Sequence, residues 1–201
     1  MTSLFFGFAK DFTHVTCGSV IKLRHIRSNH RLHSHEVSYG NSGSGQQSVT
    51  AVSAVDDSNS LWSVRGTPSS ACAAGDAVRS GQRVRLRHVA TRKSLHSHLH
   101  KSPLSQNQEV SAFGDAGDAG DSGDDWHVEV VNGGVWKRGA SVRLKHADTG
   151  AYLETDARYR YGNPIPNQLE VFGARAPTAN SHWAAEEGIY FEFESPASKE
   201  D

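Results

Sequence analysis

Two short runs hold the residues best suited to chemistry. Leu32-His33-Ser34-His35 and Leu95-His96-Ser97-His98 match residue for residue, and His100 follows the second. In an extended strand, residues two apart project to the same side, so each run sets two imidazoles on one face. Four imidazoles from two neighbouring hairpins form the donor set of a zinc or copper centre. Where the run should recur a third time the chain reads Leu153-Glu154-Thr155, which excludes a threefold metal site. No cysteine or carboxylate completes either pair at ligand spacing. The sequence therefore assigns no metal and no cofactor, and the rings are read as repeat-signature residues bonded to loop backbone. Gly-x-Ser-x-Gly, phosphate-cradling Gly-x-x-x-x-Gly-Lys, Gly-x-Gly-x-x-Gly and His-Glu-x-x-His are all missing, so no catalytic residue is assigned and a non-enzymatic protein is expected.

The elements that position these histidines come in triplicate. Gly18-Ser-Val-Ile-Lys-Leu-Arg-His25 returns as Gly81-Gln-Arg-Val-Arg-Leu-Arg-His88 and as Gly139-Ala-Ser-Val-Arg-Leu-Lys-His146, a period of about 60 residues. A leucine follows each histidine (Leu32, Leu95, Leu153), then Gln47-Ser-Val49, Gln108-Glu-Val110 or Leu169-Glu-Val171, and a tryptophan closes the unit (Trp62, Trp126, Trp183). The opening octets alternate apolar residues with cations, the pattern of half-buried strands whose basic side chains face water. Turn formers separate the strands at Ser28-Asn29, Thr91-Arg92 and Asp148-Thr-Gly150. Short strands in three copies predict an all-β, pseudo-threefold closed barrel, a β-trefoil. The units are drawn at 12–66, 75–130 and 133–189, with tails at 1–11 and 190–201. Trp62, Trp126 and Trp183 are expected to plug the core. Trp136 lies outside the repeat pattern, and with loop residues Tyr39, Tyr159 and Tyr161 it leaves open an aromatic binding surface.

Composition narrows the partners. The 201 residues carry a formal net charge of −1 and are 36% hydrophobic, which offers no electrostatic case for nucleic acid or anionic membrane. No run approaches the roughly 18 apolar residues of a membrane span, and Leu4–Ala9 is too short for the apolar region of a signal peptide. Cys17 and Cys72 precede the opening strands of the first two repeats. A bridge between such matched positions closes a loop of about 55 residues, with two unrelated buried thiols as the alternative. The acidic, glycine-rich run 114–125 lacks the spacing of known calcium loops and reads as a solvated insertion.

The repeated Gly-x-x-Val/Ile-x-Leu-x-His, the Leu-His-Ser-His, the Gln-Glu-Val and the closing tryptophan resemble the MIR repeat of protein O-mannosyltransferases and of inositol-trisphosphate and ryanodine receptors. Longer runs tighten the likeness. Arg31-Leu-His-Ser-His35, Ser44-Gly-Gln-Gln-Ser-Val-Thr50, Val55-Asp-Asp-Ser-Asn-Ser60 and the stretch Ser102–Gly114 are similar to the stromal cell-derived factor 2 family, over about residues 13–191. The resemblance implies three MIR units in one trefoil, resident in the endoplasmic reticulum lumen, with secretion as the second choice. It also implies a non-enzymatic partner of an Hsp40-type J-domain co-chaperone and the lumenal Hsp70, acting on unfolded or glycosylated clients. The polar loops around His33, His35, Tyr39, His96 and His98 are the expected partner surface. The alternative is a lectin-like module, in contact with glycans or the O-mannosylation machinery through Gln46, Gln47, Asn107, Gln108 and Glu109. Two features depart from the family: the expected signal peptide is missing from this sequence, and Lys199-Glu-Asp201 is an incomplete retention signal.

Overall fold

The computed structural model describes residues 12–115 and 119–191. The expected tail 1–11, all but two residues of the tail 190–201, and residues 116–118 of the acidic run lie outside them. Each repeat supplies four strands: β1 Val20–His25, β2 Arg31–Ser38, β3 Gln47–Val52 and β4 Leu61–Arg65; β5 Arg83–His88, β6 Ser94–Lys101, β7 Gln108–Phe113 and β8 Trp126–Val130; β9 Ser141–His146, β10 Tyr152–Arg160, β11 Leu169–Ala174 and β12 Trp183–Ile189. First and fourth strands pair around a closed antiparallel ring of six, β1–β4–β5–β8–β9–β12 and back to β1. Second and third strands form three hairpins that cap one end, and their inner strands β3, β7 and β11 pair with one another in a triangle. This is a β-trefoil, as the threefold repeat predicts. Closure leaves the barrel strands no open edge.

At the other end a three-membered ring of backbone hydrogen bonds seals the barrel. Val15 N–H donates to the Trp136 carbonyl at 2.9 Å, Trp136 N–H to Val78 at 2.8 Å, and Val78 N–H to Val15 at 3.0 Å. Each member stands three residues before its repeat's opening glycine, so Trp136 belongs to the repeat pattern after all. It is fully buried with Val15 and Val78 and is not part of a surface.

Alternation along the opening strands buries Ile21, Leu23, Val84, Leu86, Val142 and Leu144 in the barrel. Trp62, Trp126 and Trp183 lie among them with no exposed surface. Each indole N–H donates to the carbonyl of its own repeat's leucine, at 2.9 Å to Leu32, 2.9 Å to Leu95 and 2.8 Å to Leu153. The buried polar end of each tryptophan is thereby satisfied. The alternating cations depart from expectation. Lys22 is buried, its ammonium donating to the Val55 carbonyl at 2.6 Å and pairing with Glu187 at 3.0 Å. Arg85 is covered too, its guanidinium on Asp125. At Lys22 and Arg85 the outer face of the strand is therefore covered and its charge paired, whereas Arg83 is exposed as expected.

Cys17 and Cys72 are joined in a disulfide across a sequence separation of 55. In the chain-entropy picture a loop of that length stabilises the fold by about 3–4 kcal/mol.

The hairpin after each opening strand turns through a left-handed residue four positions past the histidine: Asn29 at φ 59°, Arg92 at φ 60° and Gly150 at φ 72°. Left-handed backbone strains a residue bearing Cβ by roughly 1 kcal/mol or more, and asparagine tolerates it better than arginine. A Cβ at Gly150 would meet nothing nearer than Lys145 Cε at 3.7 Å, so backbone strain alone is at stake there. We expect Gly150→Ala to lower the melting temperature by about 2–4 °C and Arg92→Gly to raise it by a comparable amount. Thermal unfolding of the two variants beside the parent protein checks both signs.

Candidate functional site

The polar groups that recur in each repeat are fixed inside the fold. His25, His88 and His146 are buried under the closing tryptophan of the preceding repeat, with ring centroids 5.0 Å from Trp183, 4.9 Å from Trp62 and 5.0 Å from Trp126. Each Nδ1 accepts from a turn backbone N–H, at 3.2 Å from Ser28, 3.3 Å from Thr91 and 3.3 Å from Thr149. The neutral ring therefore carries its proton on Nε2, which donates at 2.9 Å to the carbonyl of Asn180, Asn59 or Gly123 respectively. Burial pushes all three imidazoles below their ordinary pKa, His25 to about 4.

Behind the histidine pairs lies a second repeated device. His33 Nδ1 donates to Asp57 at 2.6 Å, and Asp57 also accepts from Ser60 at 2.6 Å. Burial pushes the Asp57 carboxyl up, but the hydrogen bonds from Ser60 and His33 outweigh it and hold it low. In the third repeat Glu154 replaces the histidine and Thr178 replaces the aspartate, and Glu154 accepts from Thr178 and Ser181. The same bolt forms with its polarity reversed. In the second repeat His96 Nδ1 donates to Asp124 at 3.0 Å and lies 3.6 Å from Asp121. Asp124 stands where Ser60 and Ser181 stand in the other repeats.

The residues assigned to a binding surface separate accordingly. His33 and His35 do share one face, with centroids 4.9 Å apart, as do His96 and His98 at 5.3 Å. Each pair sits over its own repeat's turn, so the four imidazoles do not converge. Tyr39 is buried, its hydroxyl 2.9 Å from the Val49 carbonyl and 2.8 Å from that of Val110, and it cannot serve an outside partner. Glu109 is fully buried. It accepts from His98 at 2.8 Å and from the Ser44 backbone at 3.0 Å, clamping the first repeat's loop. Glu170, which sequence reasoning passed over, does the same for the second repeat's loop through the backbone of Leu104 and Ser105, at 2.7 and 2.8 Å. Gln47 donates to Ser34 and, across a repeat boundary, to Thr91; Gln108 donates likewise to Ser97 and Thr149. Gln46 accepts from Ser111. These groups act as struts; Gln47 and Glu109 are buried and cannot meet a glycan, which corrects their assigned role, whereas Gln108 is half-exposed and borders a cleft. Asn107 is half-exposed and borders a cleft.

Clefts open at repeat boundaries, and two of them are pseudo-threefold counterparts. One, of about 740 Å3 between the third repeat and the first, is bordered by Arg27, Asn107, Asp156, Arg158, Tyr159 and Phe172. Tyr159 and Phe172 meet edge to face at 5.8 Å. The Arg158 guanidinium lies 2.7 Å from Asp156 and holds its carboxyl at about 2, and Asn180 donates to the same oxygen at 3.0 Å. The other cleft, of about 680 Å3 between the second and third repeats, is its pseudo-threefold mate, bordered by His96, His98, Asp121, Asp148 and Arg175. Here Asp124 and Asp125 are buried, so the end of the acidic run is structural and not a solvated insertion. The discoverable signal was position: Asp57 and Asp121 each stand five residues before a closing tryptophan.

The closed trefoil is built of MIR-type units: the MIR domain model matches residues 38–132. The chain is 53% identical to stromal cell-derived factor 2 from Bos taurus over 176 residues, 88% of this chain and 82% of that protein. It superimposes on the crystal structure of the SDF2-like protein from Arabidopsis thaliana with a TM-score of 0.87 at 48% identity, covering 90% of this chain and 99% of that one. The structure of the S. cerevisiae protein O-mannosyltransferase Pmt1-Pmt2 complex bound to the sugar donor contains a similar region, with a TM-score of 0.78 at 30% identity, covering 92% of this chain and 28% of that one. The chain belongs to the stromal cell-derived factor 2 family. Family and disulfide together mark a secretory-pathway protein.

The depressed histidines link folding to pH with a definite sign. A histidine whose folded pKa lies below 6.5 binds fewer protons when folded, so its contribution is intact above pH 6.5 and is lost as the pH falls toward the folded value. For His25, at about 4, the loss between pH 7 and pH 5 is on the order of 2 kcal/mol. Urea unfolding should show its midpoint falling over that interval, before the carboxylates titrate. A midpoint unchanged between pH 7 and pH 5 contradicts the assignment.

Proposed function

We propose that this protein is a binding adaptor of the endoplasmic reticulum lumen that works with an Hsp40-type J-domain co-chaperone and the lumenal Hsp70 on unfolded clients. The observation that carries the reading is sequence identity of about half to the stromal cell-derived factor 2 family across nearly nine-tenths of the chain. The structure is in keeping with a scaffold role. The repeated histidines have both ring nitrogens engaged, Glu109 and Glu170 brace loops, and the exposed chemistry is left to loops and inter-repeat clefts on a rigid barrel.

A glycan-binding role is the second reading, favoured by one feature. In the cleft between the third and first repeats, the Tyr159 and Phe172 rings adjoin Asp156, Asn180 and Asn107, an apolar platform beside carboxylate and amide groups. Such a pairing suits a hexose, which stacks its C–H face on a ring and hydrogen-bonds its hydroxyls at the edge. This moves the sugar hypothesis from the struts Gln47 and Glu109 to the cleft, where Asn107 of the original set remains.

One experiment separates the two: affinity capture from microsomal lysate with mass-spectrometric identification, with and without prior enzymatic removal of glycans. The adaptor reading expects the J-domain protein and the lumenal Hsp70 to be recovered in both arms. Recovery of glycoproteins alone, lost after deglycosylation and lost with Tyr159→Ala, would overturn it in favour of the lectin.

A further inference from the structure

The second repeat departs from its two counterparts at one buried position. In the first and third repeats the bolt behind the hairpin ends in a serine, Ser60 or Ser181, and each serine hydroxyl donates to a carboxylate. In the second repeat Asp124 takes that place. Its side chain is 1% exposed; Oδ1 meets His96, and Oδ2 has no hydrogen-bond partner among the described residues. A buried carboxylate oxygen left without a partner is costly, and here it has no counterpart in the other repeats.

The surrounding charge does not resolve it. Arg85 Nη1 stands 4.0 Å from Asp124 Oδ2, but the guanidinium is committed elsewhere: to Asp125 at 2.6 Å, to the Asp121 carbonyl at 2.6 Å and to the Ala119 carbonyl. Among the described residues the His96 imidazole is the group that faces both carboxylates, and Asp121 Oδ1 also accepts from the Gly123 N–H at 2.9 Å. Gly120, at φ 67°, borders the open oxygen, and a Cβ there would fall 2.1 Å from Asp124 Oδ2. Ligand atoms of His96, Asp121 and Asp124 all lie within 4.8 Å of one another.

We propose that His96, Asp121 and Asp124 form a binding site for a divalent transition cation of the zinc class. Two donors bound at about 2.05 Å to a tetrahedral ion sit about 3.3 Å apart. The His96 Nδ1 distances, 3.0 Å to Asp124 and 3.6 Å to Asp121, bracket that edge. One imidazole with two carboxylates suits zinc and its first-row neighbours; magnesium and calcium take oxygen ligands. Binding replaces the imidazole proton by the ion, which meets Asp124 Oδ1 and Asp121 Oδ1 together and sets its positive charge beside the carboxylate whose Oδ2 is open. Three protein ligands leave a fourth position open, and two of the three, His96 and Asp121, border the cleft. This site would be confined to the second repeat, since Ser60 in the first repeat, and Thr178 and Ser181 in the third, stand where the aspartates would be.

The test uses the untagged full chain with Zn2+ alone, by isothermal titration and thermal unfolding. The parent protein should bind one Zn2+, and at about a hundredfold excess over the dissociation constant its melting temperature should rise by about 5 °C or more. Asp124→Ser installs the residue the other repeats use. It should fold with an unchanged circular dichroism spectrum, lose at least tenfold in affinity and lose the thermal response. Asp121→Asn, at an exposed position, should weaken binding several-fold and serves as the deciding variant if Asp124→Ser does not fold. Binding of equal strength in parent and variants would place zinc on other histidines and overturn the proposal. So would the absence of any binding at millimolar Zn2+.

Discussion

Each opening-strand histidine joins two repeats through both of its ring nitrogens, and the fold depends on that bond. His25, His88 and His146 accept from their own turn and donate into the turn that precedes the neighbouring repeat's tryptophan, while the ring face lies against that indole. No single repeat can satisfy its histidine. A repeat on its own would bury an unmet donor and expose half of a tryptophan, and either defect costs a kcal/mol or more. The threefold body is therefore a requirement of each unit and not simply a result of packing three of them.

The scaffold was legible because it is written periodically. Alternation in Val84-Arg-Leu-Arg87 and its counterparts announced strands, the tryptophans announced the core, and Asp148-Thr-Gly150 announced a turn that the left-handed Gly150 makes. The site was far less legible. Gln47 and Gln108 sit in polar surroundings along the chain, yet the strand pleat turns them across a repeat boundary to hydroxyls 44 and 41 residues away. Nothing local in the sequence marks that partner. Asp121 and Asp124 were concealed differently: within a run of glycine and aspartate, composition reads as solvated, and only their distance from Trp126 gives their register. Trp136 escaped the repeat because its counterparts are valines, a change of size at one threefold position.

What distinguishes the three boundaries between repeats is a small set of substitutions on a common frame. Glu154 for histidine reverses a bolt, Leu169 for glutamine removes an amide strut, and Asp124 for serine adds a charge. None of them alters a barrel strand. Function and architecture are thus separable here: the six barrel strands answer to closure, and the hairpins and turns that border the clefts differ.

The ring of backbone bonds among Val15, Val78 and Trp136 also bears on synthesis. It couples the start of the chain to a residue more than a hundred positions later, and β1 lies between β4 and the last strand, β12. On a ribosome the edge of the first strand that β12 fills stays open until β12 has been made. Non-local closure of this kind is slow and leaves strand edges open to wrong partners. The Cys17–Cys72 bond needs only the first third of the chain, and so can hold the first two repeats in register while the third is still being translated.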